Sequence, residues 1–472
     1  MGRAPRLLYE VNTAHWLDAL GVGLGAVPAA AWDAIADLGC DAVWLMGVWQ
    51  RSAAAAEVLR THPAFASDRA FAGADLEVLP GSAYAVAAWA VEPRFGGEAG
   101  LAAARAALAA RGMRLFLDWI PNHVAPDHPW ARRRALCMYG SLADLAEDPR
   151  SFCRVGRSVR ACGRDPYFPA WPDTVQLDCA SPALQAEAGA ALARIAGMCD
   201  GVRCDMAMLA LPDVIAHTWG DRASPASGRG YWPTVLAQVR AESPDFTVLA
   251  EAYWDREADL LACGFDACYD KRLYDALVHQ DAAAVRTAAG AVGTVRFLEN
   301  HDEPRLVTAL PDAARRRAAA VVVATLPGTW LFHQGQEHGR RVRPPVTVGR
   351  GAGEGDDPEL RLWWRRLTRL QRTGAWAMAA TSGWPGNPSH EHLLAWTWSA
   401  PESRLLVVVN WSAQPAQGRV RLPWPGLEPG PVHLTDPLNG QRFMRDGREL
   451  ADQGLFVDLA PWAWHVLAVR AP

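Results

Sequence analysis

The residues with chemical potential in this chain stand at the ends of apolar runs. Residues 297–305 read FLENHDEPR, an apolar stretch that stops on Glu299 and Asp302 around Asn300 and His301. Three other runs stop the same way. LFLDWIPNH brings Asp118, Asn122 and His123; GVRCDMAML brings Arg203 and Asp205; TVLAEAYW brings Glu251. Such a run reads as a buried strand that delivers carboxylate and imidazole to its open end. Cleaving a glycosidic bond with retention needs two carboxyl groups about 5–5.5 Å apart, one ionised to attack and one protonated to release the leaving oxygen. Asp205 suits the first role, because Arg203 lies two residues earlier on the same side of its strand and would hold the carboxylate ionised. Glu251, reached through Val248, Leu249 and Ala250, suits the second, since burial raises a carboxyl pKa. Asp302 is expected to grip hydroxyls more tightly in the transition state than in the ground state. Cys204 points to the opposite side and reads as a small buried apolar residue.

Elements must hold these groups, and their order is legible. Strand-like runs at 7–11, 42–46, 115–118, 201–205, 248–251, 267–269, 295–298 and 330–332 alternate with Ala/Leu-rich helical stretches such as 28–38 and 100–110. Eight runs separated by helices imply parallel βαβ units, and their natural sum is an α/β fold, a closed (β/α)8 TIM barrel. A barrel unit averages roughly 30 residues in a ~250-residue barrel, yet 87 residues separate Asp118 from Asp205. The excess implies a loop-rich lobe over 124–178, inserted after strand 3 and forming one wall of a cleft. Beyond residue 379 the pattern changes to short alternating strands broken by Pro and Gly, with Asn439-Gly440 as a hairpin turn. A C-terminal antiparallel β-sandwich is expected there. The expected domains are therefore a barrel over 1–123 and 179–378, the lobe over 124–178, and the sandwich over 379–472.

Four strand ends with these residues in this order resemble the alpha-amylase family of retaining glycosidases and transglycosidases, and the resemblance covers essentially the whole chain. It implies that Asp205 is the nucleophile, Glu251 the acid/base and Asp302 the transition-state stabiliser. It also implies that His123 and His301 bind hydroxyls of the sugar being cleaved, that Arg203 orients the nucleophile, and that Tyr84 stacks on the sugar ring. Asp118 and Asn122 complete the expected substrate-binding set. Where calcium-dependent relatives carry a Lys-His pair after the nucleophile, this chain reads Met206, Ala207, Met208, Leu209. Apolar side chains cannot supply oxygen ligands, so no obligatory metal or other cofactor is expected. The implied activity is hydrolysis of α-glucosidic linkages in short α-glucans. A transglycosidase or trehalose-forming isomerase on the same barrel stays open, as does a catalytically silent carbohydrate-binding homologue, against which the three intact carboxylates argue.

Composition bounds the remainder. The 472 residues carry a net charge of −4, with 50% hydrophobic and 21% charged residues, the balance of a globular protein without a polyanion footprint. Nucleic-acid binding is not expected. No run approaches the ~20 apolar residues that span a bilayer, and the first twenty residues show no apolar core ending in a small-residue cleavage site. Nine cysteines, scattered and without a C-x-x-C pair, fit reduced thiols in the cytoplasm. The expected partner is an α-linked oligosaccharide; oligomeric state is not encoded in any feature of the sequence.

Overall fold

A computed structural model of the chain describes residues 4–73, 75, 78–225, 228–424, 427 and 430–470. Residues 1–3 of the N-terminal stretch and residues 425, 426, 428, 429, 471 and 472 of the expected 379–472 segment lie outside them. All eight apolar runs form strands: β1 (Leu7–Asn12), β2 (Ala42–Met46), β3 (Arg114–Trp119), β4 (Gly201–Cys204), β5 (Thr247–Ala250), β6 (Ala267–Tyr269), β7 (Thr294–Arg296) and β8 (Thr329–His333). They close into one barrel in sequential order, each strand beside the next, with β8 beside β1. Parallel register is explicit where strands pair: Arg203 faces Asp118 on β3 and Leu249 on β5. Every residue of β1, β2, β4 and β5 is buried, as expected of parallel strands covered on both faces. Gly201 opens β4 because nothing larger fits: a Cβ there would meet the Phe116 ring at 2.4 Å and the Thr247 carbonyl at 2.6 Å.

By contact, the chain divides into two compact units. The first comprises Met1–Tyr269, Leu331–Gln334 and Val342–Glu354. It contains β1 to β6 and their helices, among them α1 (Pro182–Met198) and α2 (Tyr231–Glu242), which pack on each other. Helix α1 starts with Pro182 in its first turn and buries Leu184, Ala188, Ala191, Leu192 and Ile195, the i, i+4, i+7 stripe that faces a core. The lobe between β3 and β4 has no long helix, as its composition implied. Its ends are tied by an antiparallel pair in which His123 faces Gln176 and Val124 faces Val175. A small three-stranded sheet and the six-residue helix Leu142–Glu147 fill it.

The second unit comprises Asp270–Trp330, Gly335–Arg341 and Gly355–Pro472. It holds β7, the first half of β8, and helices α3 (Lys271–His279), α4 (Ala313–Thr325) and α5 (Pro358–Thr368). It also holds the C-terminal strands β9 (Ala375–Met378), β10 (Thr381–Ser382), β11 (Leu393–Ala400), β12 (Ser403–Asn410), β13 (Ala416–Val420), β14 (Pro431–Thr435), β15 (Arg442–Asp446), β16 (Leu455–Leu459) and β17 (Trp464–Arg470). These form a six-stranded sheet in the order β9-β11-β12-β17-β14-β15 and a three-stranded sheet in the order β10-β13-β16. Leu393, Leu406 and Val408 share a core with Val420, Leu455 and Val457. Asn439-Gly440 does turn β14 into β15, with Gly440 at φ 75° and its N–H donating to the Asp436 carbonyl. Trp398 of β11 donates through its indole N–H to the Thr325 carbonyl at 2.7 Å, tying the sandwich to the end of α4.

Candidate active site

Arg203 is the centre of the first unit's polar cluster. Its side chain is 1% exposed. Nη1 donates to Oδ1 of Asp205 at 2.7 Å, and Nη2 lies 2.8 Å from Oε2 of Glu251. One planar guanidinium thus holds both carboxyl groups, from the ends of adjacent strands β4 and β5. The pairing follows from sequence. Arg203 and Asp205 are two residues apart, and the parallel register places Glu251 just past the residue beside Cys204. The Glu251 N–H bonds the Cys204 carbonyl, which fixes that alignment. Burial opposes the charge on Arg203, but Glu251, Tyr84, Tyr269 and Asp205 outweigh it and raise its pKa well above the ordinary value. The guanidinium is permanently charged.

Glu251 is 2% exposed. Its Oε2 also accepts the Met206 N–H at 2.5 Å, and Oε1 accepts the Tyr253 hydroxyl at 3.0 Å. The guanidinium, the backbone N–H and the hydroxyl together fix the orientation of this buried carboxyl group. Met206 makes its contact from a left-handed backbone, φ 42°, and Trp254 and Asp255 after Glu251 have the same hand at φ 59°. Non-glycine residues rarely adopt it, and such strain gathers at functional sites. Cys204 is fully buried, and burial pushes its thiol well up, as expected of an inert packing residue.

His123 and Tyr84 join the same cluster. The His123 ring bonds the Tyr84 carbonyl, and its pKa is lowered chiefly by burial, with Asp205 and that carbonyl opposing. Its imidazole is therefore neutral, able to donate from one nitrogen and accept at the other. Tyr84, half-buried, has its ring 5.5 Å from the Arg203 guanidinium. Trp171 of the lobe packs on His123 at 5.0 Å. Of the tryptophans beside the motifs, Trp119 is fully buried and stacks on Trp89 at 4.5 Å; it belongs to the core.

Two expected substrate contacts are placed differently. Asp118 is wholly buried, and its two carboxylate oxygens accept the Trp44 indole N–H at 3.2 Å and the Gly47 N–H at 2.7 Å. It clamps the end of β2 and presents no free oxygen from these bonds to a sugar. Asn122 is 1% exposed, and Gln176 Nε2 donates to its Oδ1 at 2.8 Å and to its carbonyl at 3.0 Å. An amide N–H occupies the oxygens that a divalent cation would need, so the residues here do not fit a calcium ion. No group of three or more His, Cys, Asp or Glu suited to a metal occurs among the described residues. Sequence reasoning missed Tyr253, and Tyr269, whose hydroxyl lies 3.4 Å from Arg203 Nε. The signal for Tyr269 was present: it ends a recognised strand on the same rim.

In the second unit, His301 and Asp302 are neighbours in space as well as sequence, His301 Nε2 lying 2.9 Å from Oδ2 of Asp302. Asp302 has its side chain 45% exposed, while His301 is buried. Asn300 shapes the turn beneath them, its Oδ1 accepting the N–H groups of Asp302 and Glu303 at 2.9 and 2.8 Å. Glu299, also flagged by the motif, is structural: it accepts from Arg305 Nη1 at 2.5 Å and the Leu306 N–H at 2.6 Å.

No family model matches the sequence. The alpha-amylase MalA of Haloarcula japonica is 26% identical over 246 residues, 49% of this chain and 33% of that protein, so the chain spans about a third of the curated relative it matches. Among solved structures, a maltogenic alpha-amylase AmyB from Thermotoga neapolitana superposes with TM-score 0.68 at 15% identity, covering 99% of both chains. An alpha-amylase from Geobacillus thermoleovorans complexed with acarbose gives 0.67 at 16%, covering 99% of this chain and 98% of that one. One from Lactobacillus plantarum gives 0.66 at 19%, covering 98% of each. The class is therefore a (β/α)8-barrel protein with an inserted lobe and a C-terminal antiparallel sandwich, the fold of the alpha-amylases. The sequence match covers about half of this chain, and the structures share its fold over nearly all of it.

Proposed function

We propose that the protein is a retaining glycoside hydrolase of α-glucosidic linkages in short α-glucans. The observation that carries the reading is the buried Arg203 fork with Asp205 on one nitrogen and Glu251 beside the other. Asp205, held by Arg203, attacks the anomeric carbon and forms a covalent glycosyl ester. Glu251 gives its proton to the leaving oxygen and then takes one from the incoming water. Asp302 is the third carboxylate, stabilising the oxocarbenium-like state, with His301 and neutral His123 on substrate hydroxyls and Tyr84 under the ring. Domains follow the same reading: barrel over 1–123 and 179–378, lobe over 124–178, sandwich over 379–472. The names of the relatives, maltogenic amylase and acarbose-bound amylase among them, support an α-glucan substrate. Nine free cysteines support a reducing, cytoplasmic setting; no helix of the described residues is long and apolar enough to cross a membrane.

The test is turnover of α-linked di- and oligosaccharides with product chromatography and NMR of the anomer first released. Retained α-configuration and new reducing ends are expected; conserved linkage number would reassign the reaction to transfer. Asp205→Asn should lower kcat by at least ~10⁴-fold with the circular dichroism spectrum unchanged, and near-normal turnover would remove Asp205 as nucleophile. Glu251→Gln should keep activity only on substrates whose leaving group departs without a proton.

A further inference from the structure

A cavity of about 90 Å³ lies in the second unit between α4, α5 and the loops that follow β7 and β8. Gln336, Arg316, Arg317, Trp363, Trp364 and Glu299 are among its lining residues. Its polar wall is not satisfied by the fold. Gln336 is 2% exposed, yet neither its amide oxygen nor its amide nitrogen has a hydrogen-bond partner. An unanswered buried amide costs about 1–3 kcal/mol, and folded proteins leave few of them. The acids nearby are committed elsewhere. Glu299 accepts from Arg305 and Leu306, and Asp312 caps α4 through the N–H groups of Ala314 and Arg315.

The two arginines are cationic without a carboxylate partner among the described residues. Arg316 donates to the carbonyls of Leu310 and Pro311 at 2.8 and 2.7 Å. Burial, then Arg341, push its guanidinium down from the ordinary value; Arg317 adds to this and Asp312 opposes it. Arg317 is exposed at the mouth, its guanidinium 5.8 Å from the Trp363 ring.

Three demands follow from this wall. An amide with a free donor and a free acceptor is answered by hydroxyl groups, which both accept and donate. Indole faces suit the C–H face of a ring. Clustered guanidiniums call for an anion with several oxygens, phosphate above all. At roughly 10–15 Å³ of such space per water, the cavity holds about six to nine waters, the bulk of one hexose and too little for a nucleotide. We infer that this cavity binds a monosaccharide phosphate, its ring against Trp363, Trp364 and Gln336 and its phosphate on Arg316 and Arg317. Neither Asp205 nor Glu251 lines it, so the ligand is an additional one, beyond the α-glucan substrate.

Isothermal titration of the full-length chain with glucose 6-phosphate, glucose 1-phosphate, glucose and inorganic phosphate tests this. It is run on wild type and on Asp205→Asn, and it reads binding, so its outcome is independent of the hydrolytic reading. One-to-one binding of a hexose phosphate is expected in both, with glucose alone and phosphate alone each at least tenfold weaker. Arg317→Ala, at an exposed position that leaves the fold intact, should weaken the hexose phosphate at least tenfold, and Gln336→Leu likewise where it folds. No hexose phosphate binding, binding unaffected by Arg317→Ala, or inorganic phosphate binding as tightly as its sugar ester would each overturn the assignment.

Discussion

Arg203 is the residue on which the site depends, and its shape matters more than its charge. Two nitrogens of one rigid plane serve two carboxyl groups at 2.7 and 2.8 Å, while the same plane lies near the rings of Trp44, Tyr84 and Tyr269. A lysine ammonium keeps the charge but has no second arm and no flat face for the rings. Arg203→Lys is therefore expected to release one carboxyl group, losing about 1.5–3 kcal/mol for a charged hydrogen bond and about 10–100-fold in kcat/KM. The check is steady-state kinetics across pH alongside a melting curve. A variant within threefold of wild type at every pH would show that one cation, and not a fork, is all the carboxylates require. Asp118 makes the complementary point. It was read as a sugar contact because it ends a strand among the motifs, but its oxygens close on Trp44 and Gly47. A strand-end carboxylate is a candidate by position, and only its neighbours decide between chemistry and scaffolding.

At the scale of elements, what the sequence encoded locally was readable. All eight barrel strands lie where continuous apolar runs placed them, because a strand buried on both faces leaves no doubt in the pattern. The sandwich was read through β11, β12, β13, β16 and β17, whose apolar residues alternate or run together. Strands β9, β10, β14 and β15 were not recognised. β9 and β15 are the outer strands of the larger sheet, and AWAM and RFMRD carry no periodic apolar signal; β10 is two residues long, and β14 buries only Val432 and Leu434. The Arg203 contact with both acids was half legible: the R-x-D spacing gives one arm, whereas the second depends on parallel register between strands 46 residues apart. The amide clamp at the base of the lobe was not legible at all, since Gln176 and Asn122 are 54 residues apart. That clamp makes a prediction. Gln176 closes the lobe through Asn122 and Leu177, in bonds of 2.8–3.0 Å. Gln176→Leu strands the buried Asn122 Oδ1, while the Asn122 carbonyl keeps the Leu177 N–H, and should cost about 1–3 kcal/mol in denaturant unfolding. Chelator treatment of the wild type should leave both activity and unfolding midpoint unchanged, because protein amides hold what a cation would hold. A midpoint that falls on chelation would show a metal at this position and refute the clamp.

Across the whole molecule, buried His123, His128 and Asp173 and half-buried His15 each contribute to how stability follows pH. His15 and His128 are pushed down to about 4, chiefly by burial, and His123 is lowered for the same reason. Their folded pKa values lie below the unfolded value of about 6.5. As pH falls through that value the unfolded chain takes up protons that the folded chain refuses. Stability is therefore lost on acidification, and the loss levels off only below about 4. Asp173 opposes them. Burial raises its carboxyl to about 7, with its own backbone N–H lowering it and Asp68 raising it further. The folded chain keeps this proton while the unfolded chain releases it above about 4, so Asp173 destabilises as pH rises towards 7. Among these four groups the three histidines outweigh the aspartate between pH 6.5 and 4, and together they lower the melting temperature as pH falls; His465, lowered by burial, adds to them, and Asp266 and Glu303, raised by burial, oppose them. His128→Asn isolates one contributor, since His128 Nδ1 caps the Trp130 N–H at 3.0 Å and an asparagine oxygen can accept the same bond without titrating. That variant should show a shallower fall in melting temperature from pH 7 to 5. Asp173→Asn should melt higher than wild type at pH 8 and fall more steeply on acidification. Scanning calorimetry of the three proteins decides it: His128→Asn and wild type falling in parallel would mean that the His128 ring takes up its proton equally well in the folded chain.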